Sequence, residues 1–113
     1  MIITDIDTQT VLADRARCAN TPLSRMQGLL GLRSLETGDG LVITRCQSIH
    51  MFFMRFSIDV IFTDRQGKVV GIVEKIAPFG LSPIFWKADK AVELPAGTVS
   101  RTGVQTGNRL AFE

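Results

Sequence analysis

The chain has 113 residues, of which 45% are hydrophobic and 21% charged, a composition typical of globular proteins rather than disordered ones. A chain of this length can bury a core without disulfide or metal staples, so we expect one domain over residues 1–113. The net charge of +2 is too small to indicate a nucleic-acid-binding protein.

The two cysteines, Cys18 and Cys46, are too few for the disulfide framework of a small secreted protein. One histidine and no CxxC pair give no zinc pattern, so we expect neither a metal site nor a cofactor. Residues 1–5 do not resemble a signal peptide, and no apolar stretch is long enough to span a membrane. These features predict a soluble, cytoplasmic protein, or a periplasmic one if an export segment has been removed.

The first third of the chain predicts two strands and one helix. Residues 2–5 and 10–18 are interpreted as strands. A helix is predicted near residues 22–30, because Thr21 is a good N-cap and Pro22 suits the first helical position. Apolar residues at helical spacing (Leu23, Met26 and Leu30) form its predicted face. Gly28 falls inside this helix, which suggests close approach of a backbone or a ligand, and Gly31 is the expected terminator.

The rest of the chain alternates short strands with turns. A turn at residues 38–40 precedes a strand at 41–43, and a loop over 46–56 leads into a strand at 57–63. The turn at 64–67 then predicts a hairpin with residues 68–76. A long irregular loop at 77–90, a strand at 91–94 and a closing strand at 109–112 follow. Together these predict a mainly β protein, a compact antiparallel barrel or sandwich, with the helix near 22–30 and a second helical turn near 96–103.

Chemically reactive side chains concentrate in residues 46–62. On a strand, Cys46, Ser48 and His50 would share one face with neighbours roughly 7 Å apart, placing a thiol, a hydroxyl and an imidazole side by side. Cys46 with His50 is therefore a candidate nucleophile and base. The alternative is that Cys46 is a buried packing residue and that His50 has a structural role, as is common for both residue types.

Two carboxylates lie among apolar strand residues. A buried Asp59 would need a partner, either an arginine (Arg25 or Arg55) or backbone hydrogen bonds at a corner of the fold. Glu93 lies between Val92 and Leu94, and strand alternation leaves two alternatives open for it, a solvent-exposed face or a site.

Large apolar side chains cluster in two segments. They are Met51, Phe52, Phe53, Met54 and Phe56 in the first segment, and Phe79, Leu81, Ile84, Phe85 and Trp86 in the second. Five such residues within six positions cannot all point inward from one strand. Two alternatives follow: an exposed apolar groove or interface, or a core covered by the 77–90 loop.

Several blocks of the sequence resemble the motifs of one family. They are residues 25–31 (RMQGLLG), 40–43 (GLVI), 53–62 (FMRFSIDVIF), 92–97 (VELPAG) and 107–108 (GN). In this order they are similar to DUF192, also called UPF0127, a family of small bacterial and archaeal domains of unknown function. The resemblance implies a mainly β barrel or sandwich with a helix near the start, and it implies no activity.

The first functional hypothesis is a binding module without an assigned reaction. Its polar cleft would be lined by Arg25, Ser48, His50, Arg55, Asp59, Glu93 and Trp86. Such a cleft, with charges and apolar walls, would take a small anionic or mixed-charge ligand or a peptide. The alternatives are a hydrolase or transferase that uses Cys46 with His50, and an interaction or assembly module that uses the Phe, Met and Trp cluster. The sequence does not determine the oligomeric state.

Overall fold

The protein is described by a computed structural model that covers residues 1–52 and 54–113. These residues form eight strands in two sheets and two short helices. The strands are β1 (Ile3–Asp5), β2 (Thr10–Ala13), β3 (Arg15–Ala19), β4 (Asp39–Thr44), β5 (Ile58–Thr63), β6 (Val69–Ile76), β7 (Lys90–Pro95) and β8 (Leu110–Phe112). The helices are α1 (Pro22–Gln27) and α2 (Thr98–Thr102). The mainly β prediction is confirmed, and the sheets are arranged as a sandwich that does not close into a barrel.

The two sheets differ in size and strand order. The smaller sheet has the order β2-β1-β8, and the larger has the order β3-β4-β7-β5-β6. β3 and β4 pair in parallel, whereas the other pairs are antiparallel, so the antiparallel prediction holds for most of the structure. β7 lies at the centre of the larger sheet, with β4 on one side and β5 on the other.

The predicted hairpin is present as β5 and β6. Its turn is closed by Asp64, whose side chain accepts hydrogen bonds from the backbone N–H groups of Gln66 and Lys68, both at 2.9 Å. Gly67 has a φ of 83°, which a glycine adopts at little cost. Local turn chemistry therefore determines this part of the fold.

The predicted strand over residues 10–18 is wrong, because the chain changes sheets at Asp14. The backbone N–H groups of Asp14 and Arg15 both donate to the carbonyl of Gly38, which ends β2 and starts β3 in the other sheet. The predicted turn at 38–40 is also shorter than expected, since β4 begins at Asp39.

Helix α1 begins where the sequence predicts and ends earlier. Thr21 and Ser24 form a capping box, in which each side chain accepts a hydrogen bond from the other's backbone N–H. The helix ends at Gln27 because Gly28 takes a φ of 50°, so the interior position predicted for this glycine and the end predicted at Gly31 are wrong.

The apolar face predicted for α1 is not buried. Leu23 is 74% exposed, Met26 78% and Leu30 40%. Leu29, which follows the helix, is instead 2% exposed and packs into the core. The six-residue helix is too short for its periodicity to determine which side chains are covered.

Both faces of the larger sheet are buried in apolar layers. One face packs against the smaller sheet and α2, through Val42, Ile61, Val92 and Leu94 among others. The opposite face carries Leu41, Ile43, Ile58, Val60, Phe62 and Ala91, and is covered by Leu29, Met51 and the loops around them. Residues 91–94 of β7 are therefore buried whichever face they point to.

Candidate functional site

A pocket opens in the second apolar layer, between α1, the 46–54 loop and the larger sheet. Its volume is about 160 Å³. It is lined by residues 25–30, by Ile43 of β4, by Glu93 of β7, and by Cys46, Ser48, Ile49, His50, Met51, Phe52 and Met54 of the loop. We call it the Glu93 pocket.

Glu93 lies in the middle of the central strand. It is registered with Leu41 on β4 and with Val60 on β5, so both cross-strand neighbours on its face are apolar. Strand alternation places it opposite Val92 and Leu94, as the sequence indicates. The solvent-exposed alternative is wrong, however, because this face of the sheet is covered.

The carboxyl group of Glu93 is buried without a charge partner. The residue is 7% exposed, and within residues 1–52 and 54–113 its side chain has no hydrogen bond or ion pair. Burial raises the pKa of Glu93 from 4.5 to about 7. A carboxyl group that is unpaired, buried and in contact with an open pocket is a candidate ligand-binding group.

Arg25 lines the same pocket but is committed to the backbone. Its Nε donates to the Thr44 carbonyl at 2.7 Å and its Nη2 to the Arg45 carbonyl at 2.6 Å. These contacts join α1 to the end of β4. They matter for the position of the helix because none of the residues of α1, all of which are described, is buried. Arg25 therefore has a structural role at the pocket's edge and retains Nη1 for a further contact.

The side chain of Cys46 contacts the backbone of Ser48. The thiol of half-buried Cys46 donates to the Ser48 carbonyl at 3.1 Å. Burial raises the pKa of Cys46 above 9.0, and the negative charge of Glu93 adds to this rise, while the Ser48 hydrogen bond and the charge of Arg25 oppose it. Cys46 is thus a thiol at neutral pH, which weighs against the nucleophile hypothesis.

His50 lies at the exposed side of the pocket. Its ring centroid is 4.8 Å from that of Phe52, and its backbone forms an isolated bridge with Leu81. The 46–52 segment is held against the 77–90 loop by backbone hydrogen bonds from Met51 to Gly80 and from Phe79 to Met51. The two loops therefore form one wall, and His50 is part of it.

Asp59 is outside this pocket and has a structural role. Its Oδ1 accepts the Lys75 backbone N–H at 2.8 Å, and its Oδ2 accepts those of Gly97 at 3.1 Å and Val99 at 2.8 Å. Gly97 is the N-cap of α2 and has no side chain to cap it, so Asp59 performs that role from β5. The arginine pairing is wrong, and the alternative of backbone hydrogen bonds at a corner is confirmed.

Two further predicted site residues lie away from the Glu93 pocket. Arg55 is exposed and is not among its lining residues. Trp86 is 76% exposed and lines a second, more open hollow of about 560 Å³. That hollow also contains Arg45, Gln47, Asp64, Arg65, Gln66, Lys87, Ala88 and Asp89. The seven predicted ligand contacts therefore do not share one cavity; Arg25, Ser48, His50 and Glu93 do.

The apolar cluster is divided between core and surface. Met51 is 1% exposed, and Met54, Phe56 and Phe85 are partly buried against the second layer. Phe52, Phe79, Leu81, Ile84 and Trp86 are between 42% and 76% exposed. Phe53 lies outside the described residues. Each of the two alternatives is therefore correct for part of the cluster.

Sequence reasoning missed the apolar walls of the pocket at Leu29 and Ile43, whereas Met54 belongs to the predicted apolar cluster. Gly28 also lines the pocket, but as the residue that ends α1 and not as an interior position of the helix. In the described part of the chain, no three His, Cys, Asp or Glu side chains are grouped to hold a metal ion. Among these same residues, neither helix is long and apolar enough to cross a membrane.

Comparison with known proteins identifies one family. The sequence model of DUF192, described as "Uncharacterized ACR", matches residues 2–112. A UPF0127 protein of Thermococcus sibiricus is 30% identical over 107 residues, which span 91% of this chain and 69% of that protein.

Two solved structures share the fold. One is a protein of unknown function from Novosphingobium aromaticivorans, with a TM-score of 0.85 and 20% identity over 98% of this chain and 82% of that one. The other is described as a putative transcription regulator from Sinorhizobium meliloti, with a TM-score of 0.80 and 25% identity over 97% of this chain and 89% of that one.

Proposed function

Because the chain belongs to DUF192, a family described as uncharacterised, its function has to be argued from its own side chains, and we propose that it is a binding module. The proposed site is the Glu93 pocket, with Glu93, Arg25, Ser48 and His50 as the ligand-contacting polar residues. No reaction is part of this proposal. It applies to a single domain over residues 1–113.

The observation that carries the proposal is the environment of Glu93. An ionisable group on the central strand, flanked by Leu41 and Val60, destabilises the fold relative to an apolar residue of similar size. Asp59, on the neighbouring strand, has its carboxylate fully supplied with backbone donors. Glu93 has no such donors in the described residues, and its carboxyl contacts the pocket, so its retained hydrogen-bonding capacity supports a role in binding.

The dimensions of the pocket favour a small ligand. Its volume of about 160 Å³ is below the roughly 300–1,000 Å³ of sites for drug-sized molecules. The walls include the apolar side chains of Leu29, Ile43, Met51 and Met54. A ligand, or the single side chain of a bound peptide, with a short apolar portion and one polar end fits this combination.

A fragment screen observed by protein NMR tests the proposal. The ¹⁵N-labelled protein is titrated with a library of small fragments, and amide shift changes in residues 25–30 and 46–54 are the expected result. Leu30→Trp, which adds bulk at the rim of the pocket, should abolish these changes. Leu23→Trp, the same substitution at an exposed leucine of α1 that does not line the pocket, is the control.

The proposal fails if no fragment perturbs these amides at millimolar concentration. It also fails if the fragments that bind are equally affected by the two tryptophan substitutions, because binding would then not depend on the pocket.

A second candidate function, protein interaction, is favoured by the exposed apolar side chains. Leu23 and Met26 on α1 and Leu81, Ile84 and Trp86 on the 77–90 loop are each at least half exposed. Exposed apolar side chains are typical of interfaces where they lie together in one patch. Sedimentation at high protein concentration tests self-association, and a monomer would remove that form of the hypothesis.

A further inference from the structure

The charge of the ligand can be argued from the groups around Glu93, and this step rests on the proposed function. We infer that the Glu93 pocket selects a primary ammonium group at the end of a short apolar stem. The same chemistry occurs in a free alkylamine and in the side chain of a peptide lysine.

Glu93 lacks a cation inside the protein. Arg25 is the nearest candidate on α1, and two of its nitrogens are held by the carbonyls of Thr44 and Arg45. In the described residues it forms no ion pair with Glu93. The effect of burial on the pKa of Glu93 is therefore not offset by a nearby positive charge, and burial raises this pKa to about 7. A cation that enters the pocket would supply the missing partner and return the carboxyl to its charged form.

An anionic ligand fits poorly at this position. It would place a second negative charge beside a buried carboxylate, or bind only while Glu93 is protonated. A neutral ligand with a carbonyl oxygen could accept a hydrogen bond from protonated Glu93, and this is the alternative that the experiment must exclude.

The walls accommodate a stem and the surroundings supply further acceptors. Leu29, Ile43 and Met51 are apolar and buried. An ammonium group has three donors. The Glu93 carboxylate can accept part of these hydrogen bonds, and Ser48, which also lines the pocket, has further oxygen atoms that can accept.

Probes that share one stem separate these alternatives. They are pentylamine, pentanol and pentanoate, with Nα-acetyl-lysine N-methylamide as the peptide-like probe. At pH 8 the amine keeps its proton. We expect pentylamine to bind about ten-fold or more tightly than pentanol, the scale of one charge-assisted hydrogen bond, and pentanoate to bind most weakly. Affinities are read from the amide shifts of residues 25–30 and 46–54.

Glu93→Gln keeps the size of the side chain and removes its charge. In this variant the preference for pentylamine over pentanol should disappear while pentanol binding persists. Glu74→Gln, an exposed glutamate on β6, is the matched control and should keep the preference. A comparison of the two amine probes then identifies the kind of ligand. Tighter binding of Nα-acetyl-lysine N-methylamide indicates a peptide side chain, and tighter binding of pentylamine indicates a free amine.

The pH dependence gives an independent readout. The titratable or charged groups that line the pocket with Glu93 are Arg25, Cys46 and His50, and its cross-strand neighbours are apolar. Pentylamine affinity should rise from pH 6 to pH 8 as Glu93 ionises. The rise must remain in His50→Gln, which removes the one imidazole of the chain, and vanish in Glu93→Gln.

Three results overturn the inference. Equal or tighter binding of pentanol or pentanoate would show that the pocket does not select a cation, and would leave the proposed binding function intact because the pocket is still occupied. Retention of the amine preference in Glu93→Gln would show that another group selects the cation. If none of the four probes perturbs the pocket, the inference fails, and the fragment screen then decides the proposed function separately.

Discussion

Asp59 and Glu93 are buried carboxyl residues on adjacent strands that point to opposite faces of the larger sheet. Asp59 is registered with Leu94, whereas Glu93 is registered with Val60, so the two acids enter different apolar layers. On its face, Asp59 meets backbone N–H groups at the start of α2. Glu93 meets apolar side chains and the pocket. Opposite consequences for stability follow from this difference.

Asp59→Ala should destabilise the protein strongly. The substitution leaves the backbone N–H groups of Lys75, Gly97 and Val99, the last of them buried, without their acceptor, which we expect to cost on the order of 3 kcal/mol. Urea unfolding at pH 7 measures the change. Asp14→Ala, which removes an exposed ion pair with Arg15, should cost less than about 1 kcal/mol. Similar costs for the two variants would contradict the capping role.

Glu93→Gln should stabilise the protein above neutral pH. The folded pKa of about 7 lies above the unfolded value near 4.5, so the native state binds more protons between these values. Stability is therefore highest below pH 4.5 as far as this group is concerned, and falls by on the order of 3 kcal/mol as the pH rises through 7.

The measurement is urea unfolding at pH 5 and pH 8. The variant should be only slightly more stable than the wild type at pH 5, where the loss of stability has just begun, and clearly more stable at pH 8. Glu74→Gln should follow the wild type at both. If the wild type and Glu93→Gln change equally between pH 5 and pH 8, Glu93 does not ionise near neutrality in the folded state.

Cys46 should alkylate more slowly than Cys18. Burial raises the pKa of Cys46 and the loop covers much of it, whereas Cys18 is exposed. Iodoacetamide rates at pH 7.5 are measured on the single-cysteine variants Cys18→Ser and Cys46→Ser. Glu93→Gln, by removing a nearby negative charge, should speed alkylation of Cys46 modestly. A Cys46 that reacts faster than Cys18 would restore the hydrolase or transferase hypothesis.

Arg25→Ala should loosen helix α1. The helix has no buried residues, and Arg25 joins it to the carbonyls of Thr44 and Arg45, so we expect a loss of about 1–2 kcal/mol. Hydrogen exchange of residues 25–30 should accelerate more than that of β5. Arg33→Ala, an exposed arginine after the helix, is the control. Equal exchange in the two variants would mean that the loop contacts hold α1 in place.

The sequence by itself determined the features that depend on neighbouring residues. Thr21 and Pro22 located the start of α1, and the turn around Asp64 fixed the β5–β6 hairpin. Alternation assigned Asp59 and Ile61 to one face of β5, because the period of a strand is set by its backbone. Of the proposed site, the sequence identifies Arg25, Ser48, His50 and Glu93 as candidates, and all four line the pocket.

Only the tertiary structure decided which faces were covered and which polar groups had partners. Alternation shows that Glu93 opposes Leu94 but not that loops cover its face, since the covering residues are distant in the chain. The same reason explains why Asp59 is paired with α2 rather than with an arginine, and why Leu23 is exposed while Leu29 is buried. Burial is a property of the assembled layers. In those layers the carboxylate of Asp59 caps α2, whereas Glu93 lines a pocket.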